Sequence, residues 1–384
     1  MNRSCNRRQF IERVAVYGTA ASLLREASAT EKKKEPPKVS DHTLTVIAGK
    51  PRERGRQYGQ KFKDAIHAFL DKEIYQAFTK KPSAKDDMLR YAGACSKAIK
   101  EFSPIIADEI EGMAEGTGLR LEEVVLIALH EELWHRGVLP SVDHCTAIAV
   151  GPPDTRDGNA YVGQNWDWME SVYGLSSVLL WKRPEGPSLL AYAYPGLWVG
   201  AGMNSAGIAL CWTSAEGMGI PGPRVGIPAY LLIAQMLYQD TLKGAIEEAR
   251  RARQAGWFTF ALADGKGNLA SVEGSPKELA VETCRGHMAR VYYGTNQMTK
   301  TPKGQPIKRH PQCQRMCELL EGAKGKLDRP TLQGFFGDHK STICKHNGTL
   351  DSMLFNCTTK EAYVSRGPGC SGRWMQFDFQ EKPG

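Results

Sequence analysis

The spacing of apolar residues along the chain changes near residue 145. Before that point, the apolar residues of 58–78 recur at steps of three and four, which is the period of one face of an amphipathic helix. Residues 88–102, 104–118 and 121–135 show the same period, with Pro104 at the start of the second of these segments and Gly118 at its end. Segment 45–144 is therefore predicted to be mostly helical.

Beyond residue 145, apolar and polar residues alternate in short runs, which predicts β-strands. CTAIAV and AYVGQNW flank a turn at 157–159, VLLWKR and LLAYAYP flank a second turn, and WFTFALA and LASVEG flank a third. Helical patterns interrupt the strands at 228–252 and around 312–320. Hairpins combined with helices predict an α+β fold in which residues 145–384 form a four-layer αββα sandwich.

The positive charge of the chain is concentrated at its start. Residues 1–40 carry nine Lys or Arg against four Glu, so they contribute +5 of the formal net charge of +8. The surplus of three over the remaining residues does not make a polyanion-binding surface, and no basic stripe interleaved with aromatic residues occurs. Nucleic acid is therefore not an expected partner.

Residues 1–29 have the layout of a twin-arginine export signal. Arg7 and Arg8 precede an apolar run at 14–24 and a small-residue Ala-Ser-Ala at 27–29. The apolar run is too short to span a bilayer, so no stable membrane span is expected, and the protein is predicted to be periplasmic or secreted. A basic terminus without a targeting role is the alternative, since Arg25 and Glu26 interrupt the approach to the cleavage site. Residues 30–44 are predicted to be a solvated linker.

Several segments resemble one enzyme family. DHCTAIAV, followed about twenty residues later by GQNWDW, together with RERGRQYGQKF, YGTNQM and STICKHNGTLDSMLFN, is similar to the acyl-coenzyme A:6-aminopenicillanic acid acyltransferase family of N-terminal-nucleophile hydrolases. The resemblance extends from about residue 45 to 370. It implies a zymogen that cuts itself between His144 and Cys145, so that 45–144 becomes a small subunit and remains the partner of the larger one.

The chemistry of an N-terminal cysteine explains why such a cut would matter. A thiol needs a base to become a thiolate, and free cysteine has a pKa of about 8.5. A newly exposed α-amine, with a pKa of about 7.7 to 8.0, would place that base on Cys145 itself. In the uncut chain the same nitrogen is an amide and cannot act as a base. Activation would therefore be coupled to cleavage.

The resemblance also implies roles for other residues. Asn296 of YGTNQM would donate a side-chain amide to the oxyanion, and Asp167 would lie beside Cys145, where a carboxylate orients the amine. Gln164 and Asn165 are further polar candidates for binding the substrate or the oxyanion. Lys345, which stands where relatives usually have Arg, is a third candidate of this kind; because Lys lacks the planar bidentate contact of Arg, the alternative is a solvated surface charge.

Two motifs that invite a metal are rejected. HEELWH at 130–135 spaces its histidines five residues apart, whereas a zinc-binding helix needs four. HPQCQRMC brings His310, Cys313 and Cys317 close together without a clear fourth ligand. No metal and no cofactor are therefore predicted.

The sequence thus favours a self-processing N-terminal-cysteine amidohydrolase or acyltransferase. It would cleave a linear amide or thioester bond of a small N-acyl substrate through a thioester acyl-enzyme. A papain-type thiol hydrolase without self-cleavage and a secreted non-enzymatic binding protein on the same fold are the alternatives. Four tryptophans are candidates for an apolar acyl pocket, against the alternative that they belong to the core: Trp166, Trp168, Trp198 and Trp212.

Overall fold

Two β-sheets packed face to face form the centre of the protein. The computed structural model describes residues 39–78, 82–134, 145–168, 170–214, 224–291 and 310–380. Their strands are β1 (Leu44–Ala48), β2 (Thr146–Val150), β3 (Tyr161–Asp167), β4 (Ser177–Lys182), β5 (Leu189–Tyr194), β6 (Leu197–Asn204), β7 (Ala209–Ser214), β8 (Phe258–Ala263), β9 (Leu269–Gly274), β10 (Leu279–Cys284), β11 (His287–Val291), β12 (Thr349–Asn356), β13 (Glu361–Arg366) and β14 (Arg373–Phe377).

The strands divide into an eight-stranded first sheet and a six-stranded second sheet. The first sheet has the order β1-β4-β5-β6-β7-β8-β9-β10, and the second has the order β11-β2-β3-β12-β13-β14. Only the pairing of β1 with β4 is parallel among the described strands. β2 and β3 of the second sheet pack on β7 and β8 of the first.

Helices cover both outer faces of the two sheets. They are α1 (Pro51–Lys61), α2 (Lys63–Phe69), α3 (Pro82–Phe102), α4 (Pro104–Thr117), α5 (Leu121–Ala128), α6 (His130–Trp134), α7 (Ala229–Leu237), α8 (Leu242–Arg251), α9 (Pro311–Gly322) and α10 (Arg329–Phe336). α7 and α8 pack on the first sheet, and α9 and α10 pack on the second. The predicted αββα sandwich is confirmed.

Alternate residues of β2 belong to two different hydrophobic cores, one on each side of the second sheet. Ala147 and Ala149 belong to the main core between the sheets, whereas Ile148 and Val150 belong to a smaller core beneath α9 and α10. Because neighbouring residues of a strand face opposite sides, a strand between two buried layers must be apolar throughout. The three predicted hairpins, β2–β3, β4–β5 and β8–β9, are all present and antiparallel.

The stretches predicted to be helical contain helices, but the structure divides some of them into shorter segments. The pattern at 58–78 is divided among α1, α2 and a π-helix at Leu70–Gln76. The single stretch predicted at 228–252 is two helices, because Thr241 caps α8 by accepting a hydrogen bond from the Gly244 backbone N–H at 3.0 Å. Strand β1 was not predicted, and it adds an edge to a sheet made otherwise from residues beyond Cys145.

Helices α1 and α4 cross with their backbones in contact. A Cβ atom at Gly55 would lie 1.9 Å from the carbonyl oxygen of Glu109, so only glycine fits there. The Nη2 of buried Arg54 lies 2.6 Å from Glu109 Oε1, and Trp181 and Tyr238 donate hydrogen bonds to the same carboxylate. Glu109 therefore ties the helices that precede Cys145 to residues that follow it.

Residues Asp41–Gly384 make up one compact unit, so the segments on both sides of Cys145 fold together. The expected linker ends inside this unit, where His42 is buried and Leu44 begins β1. The predicted export signal at 1–29 lies outside the described residues. Within the described part of the chain, no helix has the length and apolar character needed to cross a membrane.

Candidate active site

The thiol of Cys145 lies at the end of β3. Cys145 directly precedes β2, and the antiparallel register places the next residue, Thr146, opposite Asn165. Cys145 Sγ is 3.7 Å from the carbonyl oxygen of Asp167, the last residue of β3. The turn between the two strands therefore brings together the two residues that the sequence predicts to act together.

The carboxylate of Asp167 is buried and held at both oxygens. Lys345 Nζ lies 2.8 Å from Oδ2, and the hydroxyl of Thr349 donates to Oδ1 at 2.6 Å. The backbone N–H of Lys345 in turn donates to the Thr349 hydroxyl at 3.0 Å. The alternative that Lys345 is a solvated surface charge is wrong, because its ammonium group is largely buried against Asp167; a contact of Lys345 with substrate stays a prediction.

The surroundings of Cys145 disfavour its thiolate in the uncut chain. Burial raises the pKa of Cys145 to about 12, and the negative charges of Asp167 and, less strongly, Glu131 add to this effect. A hydrogen bond to the backbone of Asp167 and the amide of Gln164 act weakly in the opposite direction. The thiol is therefore protonated at neutral pH while its nitrogen is an amide.

Gln164 and Asn165 point to opposite faces of the second sheet, as neighbours in a strand must. Gln164 Oε1 accepts a hydrogen bond from the Trp212 backbone N–H at 3.0 Å, across the gap between the sheets. Its buried Nε2 makes no other hydrogen bond among the described residues and acts on the Cys145 thiol, so it is placed to serve a ligand there. The amide of Gln164 is therefore a candidate oxyanion donor.

Asn165 has a different environment from Gln164. Its Nδ2 donates to the carbonyl oxygens of Phe336 and Ile343 at 2.9 and 2.7 Å, and its Oδ1 accepts from Ser352 at 2.6 Å. Both amide hydrogens are thus used in joining β3 to the segment around α10. This arrangement supports a structural role for Asn165 rather than a contact with substrate.

An aromatic cluster lies between the sheets next to β3. The ring of Trp166 is 5.2 Å from that of Tyr194, 5.8 Å from that of Trp212 and 6.4 Å from that of Tyr230. Trp168 packs edge-on against His130. Trp198, the fourth tryptophan proposed for an acyl pocket, is not part of this group. It stacks on Trp181 in the cluster around Glu109.

Two buried carboxylates of α6 were missed by the sequence analysis. The Tyr230 hydroxyl lies 3.2 Å from Glu131 Oε1, and the Ala229 backbone N–H donates to Glu132 Oε1 at 2.9 Å. Burial, followed by the charge of Glu131, raises the pKa of Glu132 to about 8. The pattern at 130–135 was interpreted only as a motif that does not fit zinc. The signal that could have identified these carboxylates is a pair of acidic residues next to an apolar helical run.

His310 and Cys313, from the motif rejected as a metal site, each contact other groups in the fold. His310 caps α9 by accepting a hydrogen bond from the Gln312 backbone N–H at 3.3 Å. Cys313 is buried, with its Sγ 3.6 Å from the Ala289 carbonyl oxygen. Burial, and then the positive charge of Lys345, lowers the pKa of His310, so this imidazole lies close to the active site.

Two predicted site residues lie outside the described residues. They are His144, on the N-terminal side of the expected cut, and Asn296, the expected oxyanion donor. Their roles stay predictions. The described part of the site therefore consists of a partly buried thiol, a paired carboxylate and an amide, beside an aromatic cluster of the core.

These groups lie together on an αββα sandwich, and the class that fits the fold and the comparisons is an enzyme of acyl transfer. A family model, described as Acyl-coenzyme A:6-aminopenicillanic acid acyl-transferase, matches residues 154–364. That match spans more than half of the chain, and the chain belongs to this family.

The chain is also similar to individual proteins. The chain is 24% identical over 334 residues to the acyl-coenzyme A:6-aminopenicillanic-acid-acyltransferase 40 kDa form of Emericella nidulans, which covers 83% of this chain and 91% of the relative. A conjugated bile acid hydrolase from Clostridium perfringens aligns with 62% of this chain and 97% of its own, at 11% identity and a TM-score of 0.40. A penicillin V acylase from Agrobacterium tumefaciens aligns with 61% and 86%, at 10% identity and a TM-score of 0.39.

Proposed function

We propose that the chain is a self-processing amidohydrolase whose nucleophile is an N-terminal cysteine. It cuts itself between His144 and Cys145, and the matured enzyme then cleaves a linear amide or thioester bond of an N-acyl substrate. The observation that supports this most directly is the position of the Cys145 thiol, 3.7 Å from the Asp167 carbonyl oxygen at the head of a strand. In the described part of the chain, no imidazole is hydrogen-bonded to Cys145 Sγ, which disfavours a papain-type pair.

The proposed activation follows from the electrostatics of the uncut chain. A thiol whose pKa is raised to about 12 is a poor nucleophile at neutral pH. Cutting before Cys145 replaces its amide nitrogen with an amine that accepts the thiol proton. The ammonium group formed in this way would be attracted by the negative charge of Asp167, and its own positive charge beside the sulfur would offset the repulsion between that carboxylate and the thiolate.

The catalytic cycle is the ordinary sequence of acyl transfer through a thioester. The Cys145 thiolate attacks the acyl carbonyl carbon, and the tetrahedral oxyanion accepts hydrogen bonds from Gln164 Nε2 and, by the family resemblance, from the amide of Asn296. The Cys145 ammonium group protonates the leaving amine, which leaves a thioester on sulfur. Water, activated by the amine, then hydrolyses the thioester and regenerates the thiol.

The aromatic cluster indicates the kind of acyl group. Trp166, Tyr194, Trp212 and Tyr230 offer an apolar wall with a few polar tips beside the thiol. We expect an apolar or aromatic acyl chain, with hydrolysis as the main outcome, since water is always present. The proposal also includes export through residues 1–29 and retention of the cut segment 45–144 as a subunit.

Intact-mass spectrometry of the purified protein tests the cut. Two fragments, the second beginning at Cys145, are expected for the wild type, and a Cys145→Ala variant should stay whole. Cys284→Ala, which removes a thiol remote from the predicted cleavage point in sequence, is the matched control and should be cut normally. Cleavage of the Cys145→Ala variant at the same bond, or activity of a chain whose residue 145 is still joined to 144, would falsify self-processing. A panel of N-acyl amino acids, lactams and acyl thioesters then identifies the substrate.

A further inference from the structure

A second cluster of reactive side chains lies beside the active site, in the connection between α10 and β12. A ring nitrogen of His339, a ring nitrogen of His346 and Sγ of Cys370 all lie within 4.8 Å of one another, and the three residues are exposed. The buried thiol of Cys344 adds a second sulfur, 3.3 Å from Cys370 Sγ. Both cysteines are thiols in this structure.

The backbone of this connection is shaped to bring the two imidazoles together. The Cys344 backbone N–H donates to the Asp338 carbonyl oxygen at 2.8 Å, which closes the loop. Within the loop, Ser341 and Thr342 have φ values of 56° and 59°, a left-handed conformation that residues with a side chain rarely adopt. The rings of His339 and His346 stack with their centroids 4.8 Å apart. Such strain is typical of functional segments.

The third ligand residue arrives from a different part of the chain. Cys370 lies in the connection between β13 and β14, and its backbone packs on Gly337 at the end of α10. A Cβ atom at Gly337 would lie 3.2 Å from the Cys370 Cα atom, a tight contact that glycine avoids. The close approach of the two backbones brings the Cys370 thiol next to the imidazoles.

We propose that His339, His346 and Cys370, with Cys344 as the fourth donor, bind a divalent cation of the zinc class. Two imidazoles and a thiol form the group itself, and Cys344 adds a second thiol beside Cys370; nitrogen and sulfur ligands of this kind suit zinc, and no carboxylate belongs to the group, which disfavours magnesium and calcium. Two thiolates on one tetrahedral zinc, each bonded at about 2.3 Å, lie about 3.8 Å apart. The observed sulfur separation of 3.3 Å is nearer to this value than to the roughly 2.05 Å of a disulfide. Each coordinating thiol releases its proton to solvent on binding.

The proposed metal would brace the active site. Lys345 lies between two of the ligands, Cys344 and His346, and its Nζ is paired with Asp167. If a metal fixes the residues on both sides of Lys345, it also restricts the position of the Lys345 ammonium group, which is paired with the carboxylate of Asp167. The effect on catalysis rests on the proposed function, whereas the binding of metal does not.

Cobalt binding to the reduced, full-length protein tests the site. After treatment with a chelator, addition of Co²⁺ should give one equivalent bound, with the absorption of a tetrahedral thiolate complex, and Zn²⁺ should displace it and raise the Tm. Cys370→Ser and His339→Gln should each weaken binding by at least tenfold. The matched controls Cys284→Ser and His67→Gln change the same residue types outside the group and should bind normally.

Three results would overturn the proposal. One is the absence of a thiolate–cobalt band in fully reduced protein. Another is a band that Cys370→Ser leaves unchanged, with circular dichroism showing that the variant is folded. The third is a Cys344–Cys370 disulfide, with no bound metal, in protein purified without reductant. A cobalt band in a chain that never cuts itself would support the metal site and contradict self-processing, so the two proposals fail separately.

Discussion

The ammonium group of Lys345 lies 2.8 Å from Oδ2 of Asp167, a residue 178 positions earlier in the chain. Asp167 ends β3 and Thr349 begins β12, its neighbour in the second sheet, so the pairing of these strands brings the segment that carries Lys345 to the carboxylate. The ion pair is almost fully buried, which makes each partner dependent on the other. Any change to Lys345 is therefore expected to act on Asp167 and, through it, on Cys145.

Replacing Lys345 with Met should destabilise the fold, because the buried carboxylate of Asp167 loses its cation. The loss in the free energy of unfolding is expected to be on the order of 3 kcal/mol. Urea unfolding measured in a Cys145→Ala background, where no cut intervenes, gives this value directly. Lys345→Arg keeps the charge and is the matched control. Equal stability of the Met and Arg variants would contradict a structural role for the ion pair.

The raised pKa of Cys145 predicts how self-cleavage depends on pH. Because only the thiolate attacks, the rate in chains refolded from denaturant should increase about tenfold per pH unit from pH 6 to 8.5. Glu131→Gln removes one of the charges that raise this pKa, so it should speed the cut by less than about tenfold. Fragment formation followed by mass spectrometry measures both effects, with Glu122→Gln on α5 as control. A rate independent of pH would exclude thiolate attack as the slow step.

The sequence predicted the parts of the fold that depend on local pattern. The hairpin of β2 and β3 follows from alternating residues and from a turn that contains Gly158, whose φ is 72°. Cys145 and Asp167 were predicted as partners by resemblance. Because they lie at the two ends of a single hairpin, the pairing of its strands is enough to bring them together. The break between α7 and α8 also had a local signal, the capping residue Thr241.

Contacts between distant segments were not predictable in the same way. Lys345 resembles a surface charge in its own segment, and only the pairing of β3 with β12 buries it. Glu132 resembles an exposed helical acid, and its partner is a backbone N–H 97 residues away, at Ala229. Single-residue patterns carry no information about such partners, since burial of a charge is decided by what packs against it.

Glu132 should make the stability of the protein fall as the pH rises. Its folded pKa is about 8, whereas an unfolded glutamate titrates near 4.3, so the folded state binds more protons between these values. The stabilisation is complete below about pH 4 and is lost as the pH rises to about 8, by no more than about 1.4 kcal/mol per unit. Glu132→Gln should flatten the dependence of Tm on pH in this range, while Glu101→Gln, at an exposed position, should leave it unchanged. Parallel curves for wild type and Glu132→Gln would contradict the assignment.

The two fragments of the cut protein should be held together by Glu109. Its carboxylate, on the small-subunit side, binds Arg54 and accepts hydrogen bonds from Trp181 and Tyr238, on the large-subunit side. Glu109→Ala removes the acceptor of Trp181 and Tyr238 and leaves the buried Arg54 with Glu185 as its remaining carboxylate, so the fragments should be held less tightly, by up to roughly 3 kcal/mol, and gel filtration should show them separating at a higher concentration than in the wild type. Glu115→Ala removes an exposed partner of Arg52 and should cost less than about 1 kcal/mol, without dissociation. If both variants elute as the intact pair with unchanged Tm, the Glu109 cluster does not hold the subunits.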